Sequence, residues 1–323
     1  MAEQVLVIGG SWFLGRWIVE KLLSAGFSVS TLNRGRSRIS YSGKVKKFFA
    51  DRKDPAAFSR ALGKLSADYV VDVSAYRPEE TEVVVDSLIG KVKRFIHIST
   101  GSVYKMPTKS PIPEDAQLCS NPNFSYGYYK AECERVIVKQ DVKALPFVIL
   151  RLPAVYGPLD FICRENHFYQ RIREGKPVLL PKGTSSLCQN VYVEDVADQC
   201  YQLLTSTQVE GSIYNLGGEP FTLTDYVKLF CKISGRPSRI MLFERAAFRG
   251  AGFDLAEIPY WYEFGDLILD NRAAIEQLNW TPTPLLLGLQ KTFEWLKGNP
   301  ELDHRWCPDI HAEKALIQSY EYN

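Results

Sequence analysis

Tyr126 and Lys130 stand four residues apart in the run Tyr126-Gly127-Tyr128-Tyr129-Lys130. On a helix, positions i and i+4 share one face, so a phenol and an ammonium at this spacing point into the same cleft. A tyrosine hydroxyl titrates near ~10 and is a poor base at neutral pH. A neighbouring cation stabilises the phenolate and lowers that value. The pair is therefore suited to moving a proton to or from a hydroxyl or carbonyl held beside it. The same spacing is common on solvated helix faces, so the surrounding elements have to decide what this pair does.

The chain opens with a short apolar run, Gln4–Ile8, followed by Gly9-Gly10-Ser11-Trp12-Phe13-Leu14-Gly15 and a helical stretch that stops at Gly26. Strand, glycine turn and helix in this order form the context in which a glycine pattern cradles phosphate. The helix start offers free N–H groups and the positive end of its dipole. Glycine permits the tight turn and close backbone approach. A second strand, Phe27–Leu32, ends at Asn33-Arg34-Gly35-Arg36. At that strand end an acid would accept from the ribose 2′-OH of NAD, whereas arginine accommodates the 2′-phosphate of NADP. Arg34 and Arg36 without an acid favour NADP, with NAD as the other candidate.

Further apolar runs at Val45–Ala50, Tyr69–Ala75, Arg94–Thr100 and Phe147–Arg151 alternate with helical patterns over Glu79–Ile89 and Tyr126–Lys139. This alternation predicts an α/β chain with a Rossmann-type, doubly wound parallel sheet. Ligands of such sheets bind beyond the carboxyl ends of the strands. The glycine turn, Asn33, Asp51, Ser74 and Thr100 all fall at predicted strand ends, and their convergence carries more weight than any one motif. The expected division is a dinucleotide-binding domain over 1–158, with returns near 190–217. A smaller C-terminal α/β substrate-binding portion covers 159–189 and 218–323. Asn190–Ala197 is expected to open a helix, and Thr222 or Thr224 to cap another.

Composition narrows the classes. A 46% hydrophobic and 24% charged chain of 323 residues is ordinary for a soluble globular protein. Its net charge of +2 gives no reason to expect a nucleic-acid or membrane surface. Seven scattered cysteines without a Cys-x-x-Cys suggest reduced thiols in a cytoplasmic setting, and no metal site is expected. No apolar run approaches the length of a membrane span, and the N-terminal stretch lacks the basic region of a secretory signal. His97 reads as a packed core histidine and His167 as a helix residue near the substrate region. Tyr260, Trp261 and Tyr262 read as a core cluster or a pocket wall.

Taken together, the glycine turn, Ser99-Thr100-Gly101-Ser102-Val103-Tyr104, Tyr126-x-x-x-Lys130, Arg151–Pro158, Val191–Ala197 and Tyr214–Gly218 resemble the extended short-chain dehydrogenase/reductase superfamily. Within it they resemble the NAD(P)-dependent epimerase/dehydratase family, from about Val5 to Leu296. The resemblance implies Tyr126 as general acid/base and Thr100 as the hydroxyl that binds the reacting oxygen, with Ser102 as a second hydroxyl. It implies that Lys130 holds the nicotinamide ribose and lowers the Tyr126 pKa. Asp51 would meet the adenine, and Ser74 would flank the cofactor with Arg52, Ala75, Leu152 and Val155. Two hydroxyl donors at one point would stabilise the charge that develops on a carbonyl oxygen, while the cofactor supplies the redox chemistry.

Three departures from the family pattern shape the functional expectation. Trp12 stands where the middle glycine belongs, and its side chain must turn away from the phosphates or cover them. This form resembles a divergent branch that also includes the chloroplast stem-loop RNA-binding proteins. Gly101-Ser102 replaces the Asp-Glu that 4,6-dehydratases carry, which argues against that reaction. Cys188 stands about where many sugar-nucleotide enzymes carry an arginine for the substrate diphosphate, and Arg171, Arg173 or Arg249 are the candidate substitutes. The expected function is an NAD(P)-dependent epimerase or reductase acting on a secondary hydroxyl or carbonyl of a small molecule, a nucleotide sugar or related metabolite. The expected assembly is a monomer or homodimer. The alternative is a non-catalytic or RNA-binding protein on the same fold.

Overall fold

Buried β-branched and aliphatic runs set the strands of this chain, and a glycine or a cap ends most of its helices. The structure, a computed structural model, describes residues 2–37, 39–160, 162, 164–183, 186–252, 266–299, 302 and 310–321. The elements run β1 (Gln4–Ile8), α1 (Phe13–Ser24), β2 (Ser28–Asn33), β3 (Lys46–Phe49), α2 (Pro55–Leu62), β4 (Tyr69–Asp72), α3 (Pro78–Leu88), β5 (Arg94–Thr100), α4 (Ser125–Val138) and β6 (Phe147–Leu152). They continue with β7 (Ala154–Tyr156), α5 (Arg164–Arg173), β8 (Val178–Pro181), β9 (Leu187–Tyr192), α6 (Val193–Thr205), β10 (Ser212–Asn215), β11 (Pro220–Thr222), α7 (Leu223–Ser234) and β12 (Ile240–Phe243). Last come α8 (Arg245–Gly250), α9 (Arg272–Leu278), α10 (Leu285–Gly298) and α11 (Ile310–Glu321).

Two units divide the chain. The first comprises Met1–Val155, Val193–Gly217 and Leu269–Pro282, and the second Tyr156–Tyr192, Gly218–Ile268 and Thr283–Asn323. The return of Leu269–Pro282 to the first unit has no signal in the sequence; there α9 packs against β10.

The first unit holds a seven-stranded sheet in the order β10-β6-β5-β4-β1-β2-β3. Every pairing in it is parallel. This is the doubly wound Rossmann arrangement, whose strand order reverses between β1 and β4. All of Val5–Ile8 and Phe147–Leu152 is buried, as strands covered by helices on both faces require. Phe13, Leu14, Ile18, Val19 and Leu22 recur at helical spacing and seat α1. One core cluster joins Leu6, Ile8, Val70, Val84, Val85, Phe95, Ile137, Phe147 and Ile149. At roughly 1.5–3 kcal/mol per fully buried large apolar side chain, this cluster supplies the dominant driving force for the sheet.

In the second unit, β8 pairs with β12 and β9 with β11, and α5, α7 and α10 pack together. Thr222 caps α7, its Oγ1 accepting from the Asp225 amide at 3.1 Å, and Gly235 ends the helix with φ +65°. One expectation is corrected here. Asn190–Tyr192 is strand, not the opening of a helix: it continues β9 from Leu187–Gln189, which pairs antiparallel with β11, and α6 begins only at Val193. Within the stretch Lys176–Gly183, Val178–Pro181 forms β8 against Ile240–Phe243. In both cases a partner strand far along the chain decides the conformation. The cluster Tyr260, Trp261 and Tyr262 lies outside the described residues.

Candidate active site

The glycine turn follows β1 directly. Gly9 has φ +89°, and a Cβ there would lie 2.7 Å from Ser74 Cβ, at the end of the neighbouring strand β4. A Cβ on Gly15 would lie 2.1 Å from the Gly9 carbonyl oxygen. Glycine at both positions lets α1 start flush against the end of β1, leaving its first amides toward the gap between β1 and β4. These positions thus fit a bound pyrophosphate. Phe13 holds φ +38°, a left-handed conformation that is uncommon outside glycine and clusters at ligand-binding turns.

Trp12 departs from the glycine pattern, and its surroundings account for it. Its backbone is extended at the helix start, its ring is 57% exposed, and the indole Nε1 donates to Ser37 Oγ. The segment after β2 is tied to the same turn and to α1 at further points. The Tyr41 hydroxyl donates to the Gly10 carbonyl at 3.0 Å, and the Ser42 amide donates to Glu20 at 3.1 Å. Burial pushes the Tyr41 phenol up, so it remains a donor. Arg34 and Arg36 project into solvent on either side of Gly35, whose φ is +76°. Asn33 ends β2, half-buried.

Beyond β3, Asp51 caps the next turn by accepting from the Lys53 amide at 3.0 Å. Arg52 turns inward instead. Its guanidinium is bidentate to Asp72, at 2.7 and 2.8 Å, and also donates to Ser74 Oγ at 3.1 Å. Burial opposes the Asp72 charge, but the Arg52 guanidinium outweighs it and holds that carboxyl below its ordinary value. Arg52 thus buttresses Ser74 from beneath, and Ser74 in turn meets Gly9. Ala75 is buried and offers its carbonyl to Lys130, Leu152 is buried at the end of β6, and Val155 is half-buried.

Helix α4 carries Tyr126 and Lys130, and two contacts fix it at the carboxyl edge of the sheet. A Cβ on Gly127 would lie 2.1 Å from the Ser102 carbonyl oxygen, so the first turn of α4 abuts the turn Gly101–Val103. One helical turn later, Lys130 reaches back to the Ile98 carbonyl, two residues before Thr100. Thr100, Ser102, Tyr126 and Lys130 therefore sit on adjoining elements. Thr100 is half-buried, its Oγ1 accepting from the Ser102 amide at 3.2 Å. Tyr126 is 49% exposed, with its ring 6.1 Å from that of Tyr76.

Lys130 is fully enclosed. Its Nζ donates to the Ala75 carbonyl at 3.0 Å and to the Ile98 carbonyl at 2.6 Å, and lies 3.3 Å from His97 Nε2. Burial pulls the ammonium below its ordinary pKa, while the charges of Asp72 and Glu134 work the other way.

Several residues of the recurring motifs take a different part. The Arg151 guanidinium is bidentate to Glu134, Nε donating to Oε1 at 3.1 Å and Nη2 to Oε2 at 2.7 Å, donates to the Tyr104 hydroxyl at 2.9 Å, and is 2% exposed. The Tyr104 hydroxyl donates to Asn215 Oδ1 at 2.7 Å, and Ser99 donates to Glu134. These five residues, from β5, the turn after it, α4, β6 and β10, form one buried network that ties the strands behind the site together. In the sequence four of them stand only as parts of motifs, and Glu134 only as a helix residue beyond Lys130. Their common function in packing depends on contacts across more than a hundred residues.

A parallel dinucleotide-type sheet, a glycine turn at its switch point and a Tyr–Lys helix beside a Thr/Ser turn define the class. Residues 5–217 match the NAD dependent epimerase/dehydratase family, and the chain belongs to it. It is 26% identical over 247 residues to the chloroplast stem-loop binding protein of 41 kDa b of Arabidopsis thaliana, covering 72% of this chain and 63% of that protein. It is 27% identical over 243 residues to a trifunctional UDP-glucose 4,6-dehydratase/UDP-4-keto-6-deoxy-D-glucose 3,5-epimerase/UDP-4-keto-L-rhamnose-reductase of the same plant, covering 71% and 33%. The chain thus spans less than two thirds of either relative. Among solved structures, a UDP-glucose 4-epimerase with UDP-glucose from Thermotoga maritima superposes with a TM-score of 0.75 at 23% identity, over 92% of this chain and 99% of that one. Among the described residues, no helix is long and apolar enough to cross a membrane.

Proposed function

We propose that this protein is an NAD(P)-dependent epimerase or reductase that acts on a secondary hydroxyl or carbonyl of a nucleotide sugar or related metabolite, with NADP the preferred cofactor. The observation that carries the reading is the seating of α4 against the Ser102 carbonyl, with Lys130 anchored two residues before Thr100. That seating brings a phenol, an ammonium and two hydroxyls to the carboxyl edge of a dinucleotide-type sheet. Gly9, Gly10, Ser11, Trp12, Phe13, Leu14 and Gly15 would hold the pyrophosphate, and Asp51, Ser74 and Ala75 the adenosine side. Arg34 and Arg36 would pair with a 2′-phosphate. The cofactor, when bound, supplies or accepts a hydride. Thr100 and Ser102 orient the reacting oxygen, and Tyr126 gives it a proton or takes one. Lys130 supports the phenolate form of Tyr126 electrostatically.

The test is to identify the nucleotide released from purified protein and to screen sugar nucleotides and small ketones against the wild type and Tyr126→Phe. The reading requires that Tyr126→Phe bind dinucleotide normally and lose at least about a hundredfold in turnover, as loss of a general acid/base predicts. Full turnover in that variant would discard the mechanism. Tightly held NAD would support an epimerase, and exchangeable NADPH a reductase.

A second reading, RNA binding on the same fold, is supported by one local feature. Between Arg34 and Lys53 the chain carries eight basic residues and one acidic residue. Arg34, Arg36, Lys44, Lys46, Lys47 and Lys53 are exposed around Phe49, which is 62% exposed. Exposed cations beside an exposed ring suit single-stranded nucleic acid. Salt-dependent retention of RNA together with absent dinucleotide turnover would favour it.

A further inference from the structure

The Lys130 ammonium has three N–H donors. Main-chain carbonyls of Ala75 and Ile98 take two of them. The third faces His97 Nε2. We infer that His97 is a positioning residue for Lys130, its Nε2 lone pair serving as the one side-chain acceptor that orients the ammonium beside the end of β5. The inference rests on the Tyr126–Lys130 reading for its catalytic consequence, but not for the contact itself.

The geometry fixes the form His97 must take. An ammonium offers only donors, so Nε2 must carry the lone pair and the ring proton must sit on Nδ1. His97 is wholly buried, and Nδ1 has no hydrogen-bond partner among the described residues. Asp72 is the cross-strand neighbour of His97. Its two oxygens are occupied by the Arg52 guanidinium and the Ser74 amide. The charges that act on the ring are thus Lys130 and Arg52 against Asp72. Burial, then the Lys130 charge, holds the imidazole neutral well below its ordinary pKa. A buried neutral histidine with an orphaned N–H carries a desolvation cost. Accepting from a buried ammonium is the favourable interaction that this cost accompanies.

The consequence concerns where Lys130 can go. Its two carbonyl acceptors belong to the backbone and are fixed by β4 and β5. The His97 contact is the longest of the three and the only one a side-chain substitution can alter. Loss of that contact therefore leaves the ammonium held by two main-chain carbonyls alone, less firmly charged and free to turn.

Nitrogen NMR of histidine-labelled wild-type protein tests the contact directly. His97 should stay neutral from about pH 8 to about pH 6, protonated on Nδ1 and unprotonated on Nε2. An Nε2–H tautomer, or an ordinary titration in that range, would overturn the inference whether or not the protein is an enzyme. Two variants test the consequence. His97→Gln keeps an acceptor on a flexible side chain, and His97→Leu removes it. His97→Leu should move the acidic limb of the turnover pH profile upward, because a less firmly charged Lys130 supports the Tyr126 phenolate less. It should also weaken dinucleotide binding about tenfold, the loss of one charge-assisted hydrogen bond. His97→Gln should restore both. Wild-type behaviour of His97→Leu in both measurements overturns the inference. Should that variant fail to fold, the wild-type tautomer and the pH profile of His97→Gln decide. A wild type that binds no dinucleotide would remove the proposed function, and the tautomer alone would then decide the role of His97.

Discussion

Gly127 meets the main-chain carbonyl of Ser102 so closely that a Cβ on it would lie 2.1 Å from the oxygen. That contact sets the depth of α4 against the Gly101–Val103 turn, and with it the placement of Tyr126 in the first turn of the helix. Gly127→Ala should therefore push α4 off the Gly101–Val103 turn. Overpacking of this kind costs about 1–3 kcal/mol. Turnover should fall more steeply than the thermal midpoint, because a small displacement of a proton-transfer group is costly in rate. Melting curves and kcat measured on the same preparation check the two effects together.

Arg34 and Arg36 stand exposed around the Gly35 turn at the end of β2. Replacing both with serine should weaken NADPH binding about tenfold to a hundredfold, in line with the loss of charge-assisted contacts to a phosphate. NADH binding should change little. Fluorescence titration with the two cofactors separates the outcomes, and an equal loss for both would refute a 2′-phosphate role for these arginines.

Asp72→Asn should leave the Arg52 guanidinium, whose side chain is 9% exposed, with only the longer Glu80 ion pair at 3.7 Å. Breaking a buried ion pair by removing one partner costs about 3–5 kcal/mol. Urea unfolding should show the drop. The double variant Arg52→Leu, Asp72→Asn should recover part of it, because the buried guanidinium is then gone and only the partly exposed Glu80 loses a partner.

Asp160, 2% exposed, offers a pH test in the second unit. Burial, then the nearby Glu165 charge, pushes its carboxyl up to about 7. A folded-state pKa above the unfolded value means that the folded chain binds the extra proton. Stability from this group is present at acid pH and is lost as pH rises toward about 7. Asp160→Asn, which cannot ionise, should thus raise the thermal midpoint at about pH 8 more than at about pH 5. Equal shifts at the two pH values would contradict the sign.

Local patterns carry most of the first unit. Val5–Ile8 and Phe147–Leu152 can only be strands buried on both faces, and the glycine turn between β1 and α1 declares its own geometry. Thr222 and Gly235 bracket α7 by capping chemistry alone. Local reading fails where pairing at long range decides. Nothing within Leu187–Gln189 announces its partner at Pro220–Thr222. Of the candidate site, the residue types and their spacing are legible, and the partners of their side chains are not. Arg52 sits next to Asp51 in sequence but is drawn inward by an aspartate twenty residues away. His97 has the sequence context of an ordinary core histidine, and only the fold sets it against Lys130.

The chain leaves the first unit at Val155, returns at Val193, leaves again after Gly217 and returns once more at Leu269. A ribosome delivers these segments in order, at roughly 5–20 residues per second. The first six strands of the large sheet can meet early, but β10 reaches β6 only after the first segment of the second unit has emerged. α9 cannot cover β10 until residue 278 is out. During that interval the β6 side of the sheet is an open edge, the state in which strands recruit the wrong neighbour. Production of this protein should accordingly respond to translation speed and to chaperones, and fragments ending between Leu152 and Ser212 should aggregate more readily than the full chain.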